Sequence, residues 1–172
     1  AVPTTHPLYI GNLGMHGAYA CNMAVNECDL LFSIGTRFND RITGKLHSFA
    51  PNAQIVHIDI DTAAISKNVQ VDVPIVADAK EAVTKMLEYV TPFETGKWMD
   101  TIEDWKAEHP LKMKKKPIMT PQDVIEAINR IFDEAIIVTD VGQHQMFTAQ
   151  FIEITEKKKL LMSGGLGTMG YG

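Results

Sequence analysis

The chain has 172 residues, 45% hydrophobic and 22% charged, with a formal net charge of -5. This is the composition of a soluble globular protein holding one domain or parts of two. The acidic balance argues against nucleic acid as partner, no apolar run approaches the roughly 20 residues that span a bilayer, and no charged-then-apolar leader opens the sequence.

A Gly14-Met15-His16-Gly17 turn leads into a predicted helix over 18–28 that carries the two cysteines, Cys21 and Cys28. Their spacing fits neither a CxxC pair nor a disulfide framework, so both read as small apolar residues on one helix in a reducing cytoplasm. Short apolar runs follow at 30–34, 54–58, 73–76, 135–139 and 160–162, ending at or near Gly35, Asp59, Asp78, Asp140 and Ser163-Gly164. Strands buried on both faces of a parallel sheet have this pattern. Pro74 has no N–H to give a ladder, which assigns 73–76 to a sheet edge or a strand start.

Asp78 is placed to cap a helix over 79–90, with Ala82, Val83, Met86, Leu87 and Val90 on one face. Trp98 and Trp105, seven residues apart among charges, mark a peripheral amphipathic helix, and the basic run at 112–116 with Pro117 reads as a solvated linker. Thr120-Pro121-Gln122-Asp123 is a helix start: a Thr cap, Pro at the first helical position and an acid three residues on. The helix it opens carries Val124, Ile125, Ile128, Ile131 and Phe132 at helical spacing. Strands alternating with helices predict an α/β architecture with a largely parallel sheet, divided into 1–92, a helix and linker at 93–117, and a second unit at 118–172.

Ligands of open parallel α/β sheets bind beyond the carboxyl ends of the strands. Gly35, Arg37, Asn39 and Arg41 follow the first strand, Asp59 and Ile60 the second, Asp78 the third. A strand-end carboxylate suits a ribose diol, and arginines offer planar donors to a pyrophosphate. Each residue alone reads more simply as a helix cap or a base paired to surface acids; their coincidence at successive strand ends favours a nucleotide site. Met15 and His16 sit in a turn whose free N–H groups, at a helix start, favour an anion. His16 by itself is read as a capping or packing histidine. Val141-Gly142-Gln143-His144 again follows a strand and opens a helix, and the Gly-rich segment at 164–172 can fold beside it. Two such turns at neighbouring strand ends point to a phosphate-bearing cofactor. No zinc-type ligand spacing, Walker loop or Gly-x-Ser-x-Gly elbow occurs. A chain that stops within a Gly-rich loop reads as part of a larger protein.

The ordered motifs Gly14-Met15-His16-Gly17, Gly35-Thr36-Arg37-Phe38-Asn39-Asp40-Arg41-Ile42-Thr43-Gly44-Lys45, Val56-His57-Ile58-Asp59-Ile60-Asp61, Val141-Gly142-Gln143-His144-Gln145-Met146 and Gly164-Gly165-Leu166-Gly167-Thr168-Met169-Gly170 resemble the large catalytic subunit of acetolactate synthase of the biosynthetic type. The resemblance runs from about Leu13 to Gly172. It implies an incomplete Rossmann-like, three-layer middle domain that binds FAD, followed by the start of the α/β domain that holds the diphosphate of thiamin diphosphate through Mg2+. Met15, His16, Gly35, Arg37, Asn39, Arg41, Asp59, Ile60 and Asp78 would line the FAD. Val141, Gly142, Gln143 and His144 would meet the thiamin diphosphate tail, and Gly167 and Met169 its central part. No catalytic or metal-ligating residue of the family falls on the chain. Asn39, Ala77 and Phe147 stand where the family usually has Asp, Gly, and Trp or Tyr.

The activity implied is decarboxylation of pyruvate and transfer of the two-carbon unit to a second pyruvate or to 2-oxobutyrate, in a cytoplasmic homodimer or tetramer with a small regulatory subunit, on the route to branched-chain amino acids. The chain alone is expected to be inactive. Competing readings are another thiamin-diphosphate enzyme (pyruvate oxidase, glyoxylate carboligase or a flavin-free acetolactate synthase) and a nucleotide-binding regulatory module.

Overall fold

The computed structural model describes residues 2–115 and 117–172. Lys116, the end of the basic run within the expected linker, lies outside the described residues, as does Ala1.

Five short apolar runs become five strands. β1 (Leu30–Ile34), β2 (Gln54–Asp59) and β3 (Val73–Val76) form one parallel sheet in the order β1-β2-β3; β4 (Ala135–Thr139) and β5 (Lys158–Met162) form a second parallel pair. Leu30 pairs with Gln54 and Ile34 with Ile58, while Val56 pairs with Val73 and Asp59 with Val76. With all strands parallel, their carboxyl ends align on one side. β3 is an edge strand, where Pro74 removes no ladder bond that the fold needs. In the second pair Ala135 stands opposite Lys158 and Thr139 opposite Met162.

α1 (Tyr19–Glu27) ends one residue short of Cys28, which is its C-cap in extended conformation. The expectation of both cysteines on one helix is therefore corrected: Cys21 is buried in α1, and Cys28 lies at the turn into β1. α2 (Asp40–Thr43) is a single turn capped by Asn39, whose Oδ1 accepts from Arg41 N at 3.1 Å, and a 3-10 turn follows at Leu46–Ser48. α3 (Ala79–Met86) is shorter than the predicted 79–90. Beyond Met86 the bonds tighten, with Glu88 N donating to Lys85 O and Tyr89 N to Met86 O. The apolar face that suggested a longer helix is not used, since Leu87 is 69% exposed and Val90 54%.

α4 (Gly96–Glu108) carries the two tryptophans, edge to face at 5.8 Å, and packs on α1 through the fully buried Ile102. Lys106 Nζ donates to Tyr9 O at 3.2 Å, and the His109 ring lies tilted against Tyr19, with centroids 4.0 Å apart. α5 (Pro121–Ile131) opens with the full capping box read from Thr120 and Asp123, and Phe132 is its C-cap. α6 (Gln143–Phe151) follows β4 and packs on α5.

The main core lies beside β2. Phe38, Ile55, Val69 and Val71 are buried together, with Leu31, Phe49, Ala53 and Ile65 against them. Three of these, Phe38, Val69 and Val71, come from loops, so the segments after β1 and before β3 are held down by burial. Asp72 reinforces this by accepting from Ile55 N at 2.7 Å.

Candidate functional site

The parallel register delivers the first three loops to one edge. Gly35 N donates to Ile58 O at 2.8 Å and Ala77 N to Asp59 O at 3.2 Å, so the tips of β1, β2 and β3 are stitched side by side. Gly35 holds φ +62°, where a glycine turns the chain without strain, and the space around its missing Cβ is open. Beyond it Arg37, Asn39, Asp61, Ala64, Lys67 and Asn68 line a depression of about 420 Å³. Asn68 Nδ2 donates to the carbonyls of Arg37 and Phe38, each at 3.1 Å, which pins the loop that presents the arginine.

A second depression, of about 400 Å³, lies between the turn before α1 and α2. Its wall includes Met15, Asp40, Arg41, Asn22 and Phe49. The turn is held by backbone and by one side chain. Met15 N donates to Arg41 O at 2.8 Å, Gly14 N to Asn22 Oδ1 at 2.8 Å, and Asn22 Nδ2 to Gly14 O at 3.1 Å. Arg41 Nη1 lies 4.0 Å from Met15 Sδ, so the two expected cofactor residues meet although they are far apart in sequence. The structure thus groups Arg37 with Asn39 in one depression, and Met15 with Arg41 in another.

The two strand-end acids of this sheet behave differently. Asp59 Oδ1 accepts from Asp61 N at 2.8 Å, and its side chain is 11% exposed. Asp78 caps α3, its Oδ1 accepting from Lys80 N at 2.9 Å and Glu81 N at 3.1 Å. The simple cap is thus present there, with Oδ2 left to other partners. Ile60 projects into solvent.

The second unit gathers the remaining residues. Gly142 is the N-cap of α6 at φ +147°, and having no side chain it leaves the helix start without a side-chain cap from that position. An added Cβ at Gly142 would stand 3.2 Å from the His144 ring. A nine-residue helix with an uncapped start leaves N–H groups open, which together with the helix dipole favour an anion. The Gly-rich segment returns beside it: a Cβ on Gly167 would touch Val141 Cγ1 at 3.8 Å. Met169 is exposed.

Asp140, read from sequence only as a strand end, organises this corner. Its Oδ1 accepts from Val141 N at 2.8 Å and from Gly170 N at 2.9 Å, with Oδ2 3.0 Å from the same Gly170 nitrogen. The N–H of Gly170, then that of Val141, hold its carboxyl below the usual carboxylate range. Asn22, Asn68 and Asp140 are the residues that sequence reasoning missed. Only Asp140 carried a usable signal, the acid-at-strand-end pattern that flagged Asp59.

The turn at Met15-His16 also touches α6. Gln150 Nε2 donates to His16 O at 2.8 Å and Asn12 Nδ2 to Ala149 O at 2.6 Å. Thr4 exchanges bonds with Ile154, each at 2.9 Å. Among the described residues no group of three or more His, Cys, Asp or Glu side chains is arranged to hold a metal ion, and no helix is long and apolar enough to cross a membrane.

Comparison with known proteins accounts for both halves. Residues 1–86 match the thiamine pyrophosphate enzyme central domain, and residues 140–172 match the C-terminal TPP binding domain of the same enzymes. The chain is 47% identical to the acetolactate synthase large subunit of Cyanidium caldarium, with 97% of this chain and 30% of that protein aligned. It is 42% identical to the acetolactate synthase isozyme 3 large subunit of Escherichia coli K12, over 100% of this chain and 32% of that protein. It is 44% identical to the probable acetolactate synthase large subunit of Methanocaldococcus jannaschii, over 99% and 31%. The chain thus spans about a third of the length of these relatives. By its central-domain and C-terminal matches, joined to a parallel α/β fold, the chain belongs to the thiamine pyrophosphate enzymes and is similar to acetolactate synthase large subunits.

Proposed function

We propose that the chain is part of a biosynthetic acetolactate synthase large subunit, which decarboxylates pyruvate and joins the two-carbon unit to a second pyruvate or to 2-oxobutyrate in branched-chain amino acid synthesis. The observation that carries the reading is that one chain holds two sets of strand-tip loops, each suited to a phosphate-bearing ligand. One set, at β1 to β3, presents arginines and a carboxylate suited to a dinucleotide; the other, at β4 and β5, presents an uncapped helix start suited to a diphosphate.

In this reading FAD lies along Met15, His16, Gly35, Arg37, Asn39, Arg41, Asp59, Ile60 and Asp78. The open space at Gly35 and the bases around the Arg37 depression fit a pyrophosphate. Thiamin diphosphate is held at its tail by Val141, Gly142, Gln143 and His144 and supported by Gly167 and Met169. When bound it supplies the electron sink for decarboxylation. The chain's own contribution is to orient: Gly142 gives close backbone approach, α6 directs N–H groups at the diphosphate, and Asp140 keeps the Gly-rich segment beside it. The described residues form no Mg2+ site of their own.

The complete enzyme is a cytoplasmic homodimer or tetramer with a small regulatory subunit. The 172-residue chain alone is inactive, because it represents only about a third of the relatives' length. The test is expression of the complete polypeptide, with flavin fluorescence and product analysis after incubation with pyruvate, thiamin diphosphate and Mg2+. Acetolactate with bound flavin supports the proposal. Acetyl phosphate and hydrogen peroxide would assign an oxidase, tartronate semialdehyde from glyoxylate a carboligase of that type, and acetolactate without flavin the flavin-free branch. Nucleotide binding with no turnover would leave a regulatory module.

A further inference from the structure

His57 is fully buried on β2, and neither ring nitrogen has a hydrogen-bond partner among the described residues. An unpaired buried polar ring is unfavourable, and native proteins rarely keep one without a use. Its neighbours suggest the use. His57 and Asp59 are two residues apart on a strand, so their side chains share a face. Nε2 lies 3.7 Å from Asp59 Oδ2, just beyond hydrogen-bond length. The ring is fixed on its other side by Phe38, edge to face at 5.1 Å and 76°. Phe38 is buried at φ +46° between Arg37 and Asn39, with its carbonyl held by Asn68. One imidazole therefore leans on the β1 tip and lies close to the β2 tip.

Asp59 Oδ1 is already engaged by Asp61 N, so the carboxylate can swing about that anchor. Bringing Oδ2 onto Nε2 needs a movement of less than about 1 Å, from 3.7 Å to roughly 2.9 Å. We propose that His57 is a positioning residue of the nucleotide site, donating from Nε2 to Asp59 Oδ2 when a ribose hydroxyl engages the same carboxylate. The bond sets the angle at which Asp59 meets the diol and, through Phe38, ties that setting to the loop that carries Arg37. This rests on the dinucleotide reading of the strand tips given above.

The experiment measures FAD affinity of the complete polypeptide by flavin fluorescence titration, for the parent and for His57→Phe, His57→Gln, Asp59→Asn and the double variant His57→Phe/Asp59→Asn. Phe keeps the ring against Phe38 and removes the donor; the Gln amide restores a donor at similar reach. His57→Phe weakens FAD binding roughly tenfold, the size of one bond to a charged group. His57→Gln recovers most of the loss, and the double variant is no weaker than Asp59→Asn alone. Parent-like affinity in His57→Phe, or losses that simply add, would overturn the positioning role while leaving the site itself intact. Unchanged affinity in Asp59→Asn would remove the site, and the proposal with it. Should His57→Phe fail to fold, 15N-histidine spectra of the parent decide. FAD must shift the His57 Nε2 resonance and slow exchange of its proton, and an unmoved resonance refutes the idea.

Discussion

Gly14→Ala tests whether the turn before α1 is built as described. Gly14 holds φ +99°, and a Cβ there would press into the carbonyl oxygen of Arg41 and stand 2.9 Å from Ile42 Cα. Both are backbone atoms, so no side-chain rotation relieves the contact. The left-handed conformation costs an alanine about 1–2 kcal/mol. Relief requires the turn to move off α2, which threatens the Met15–Arg41 bond and both bonds of Asn22 to Gly14, at about 1 kcal/mol each. The expected loss is about 4 kcal/mol. Gly35→Ala is the matched control: φ is +62° but nothing lies within 4 Å of the added carbon, so only the strain of about 1–2 kcal/mol applies. Urea unfolding followed by circular dichroism reads the difference. With a slope of about 2 kcal/mol/M, Gly14→Ala should lower the midpoint by about 2 M and Gly35→Ala by less than half of that. Equal midpoints for the two variants would refute the close packing of the turn on α2.

Three further outcomes follow from particular contacts. Thr120→Ala removes one half of the capping box on α5 and should cost about 1–2 kcal/mol in the same unfolding assay. Asp140 has a carboxyl lowered in the folded state by the Gly170 and Val141 N–H groups. Its contribution is therefore present above the unfolded value of about 3.9 and lost as pH falls through the lower folded one. The Gly170 amide resonance should move over that acid window in the parent and stay flat in Asp140→Asn. Burial pushes the Cys21 thiol up to about 11, so Cys21 should be alkylated far more slowly at pH 8 than the half-buried Cys28, as mass spectrometry of iodoacetamide-treated protein would show.

The strands were legible because parallel β structure leaves short, continuous apolar runs, and each run ends at the residue where the observed strand stops or one short of it. The capping box at Thr120 was legible for the same local reason, since a Thr-Pro start is decided by three residues. α2 was not, because four residues carry no periodicity and the helix exists through the Asn39 cap and burial of Thr43. α3 was read too long because its apolar stripe continues past Met86, although Leu87 and Val90 bury little there. In the candidate site the glycines and bases were visible as sequence. The residues that hold them were not: Asn22 reaches back eight residues to Gly14, Asn68 thirty-one to Arg37, and Asp140 thirty forward to Gly170. Such bonds depend on tertiary proximity, which no local pattern encodes.

The most direct test of the central claim is a crystal structure of the complete polypeptide with FAD and thiamin diphosphate bound. Arg37 and Asp59 should lie within hydrogen-bond distance of the flavin dinucleotide, and the backbone from Gly142 to His144 should meet the thiamin diphosphate tail. Density that places both cofactors away from these strand tips, with Arg37, Asp59 and Gln143 turned from them, would contradict it.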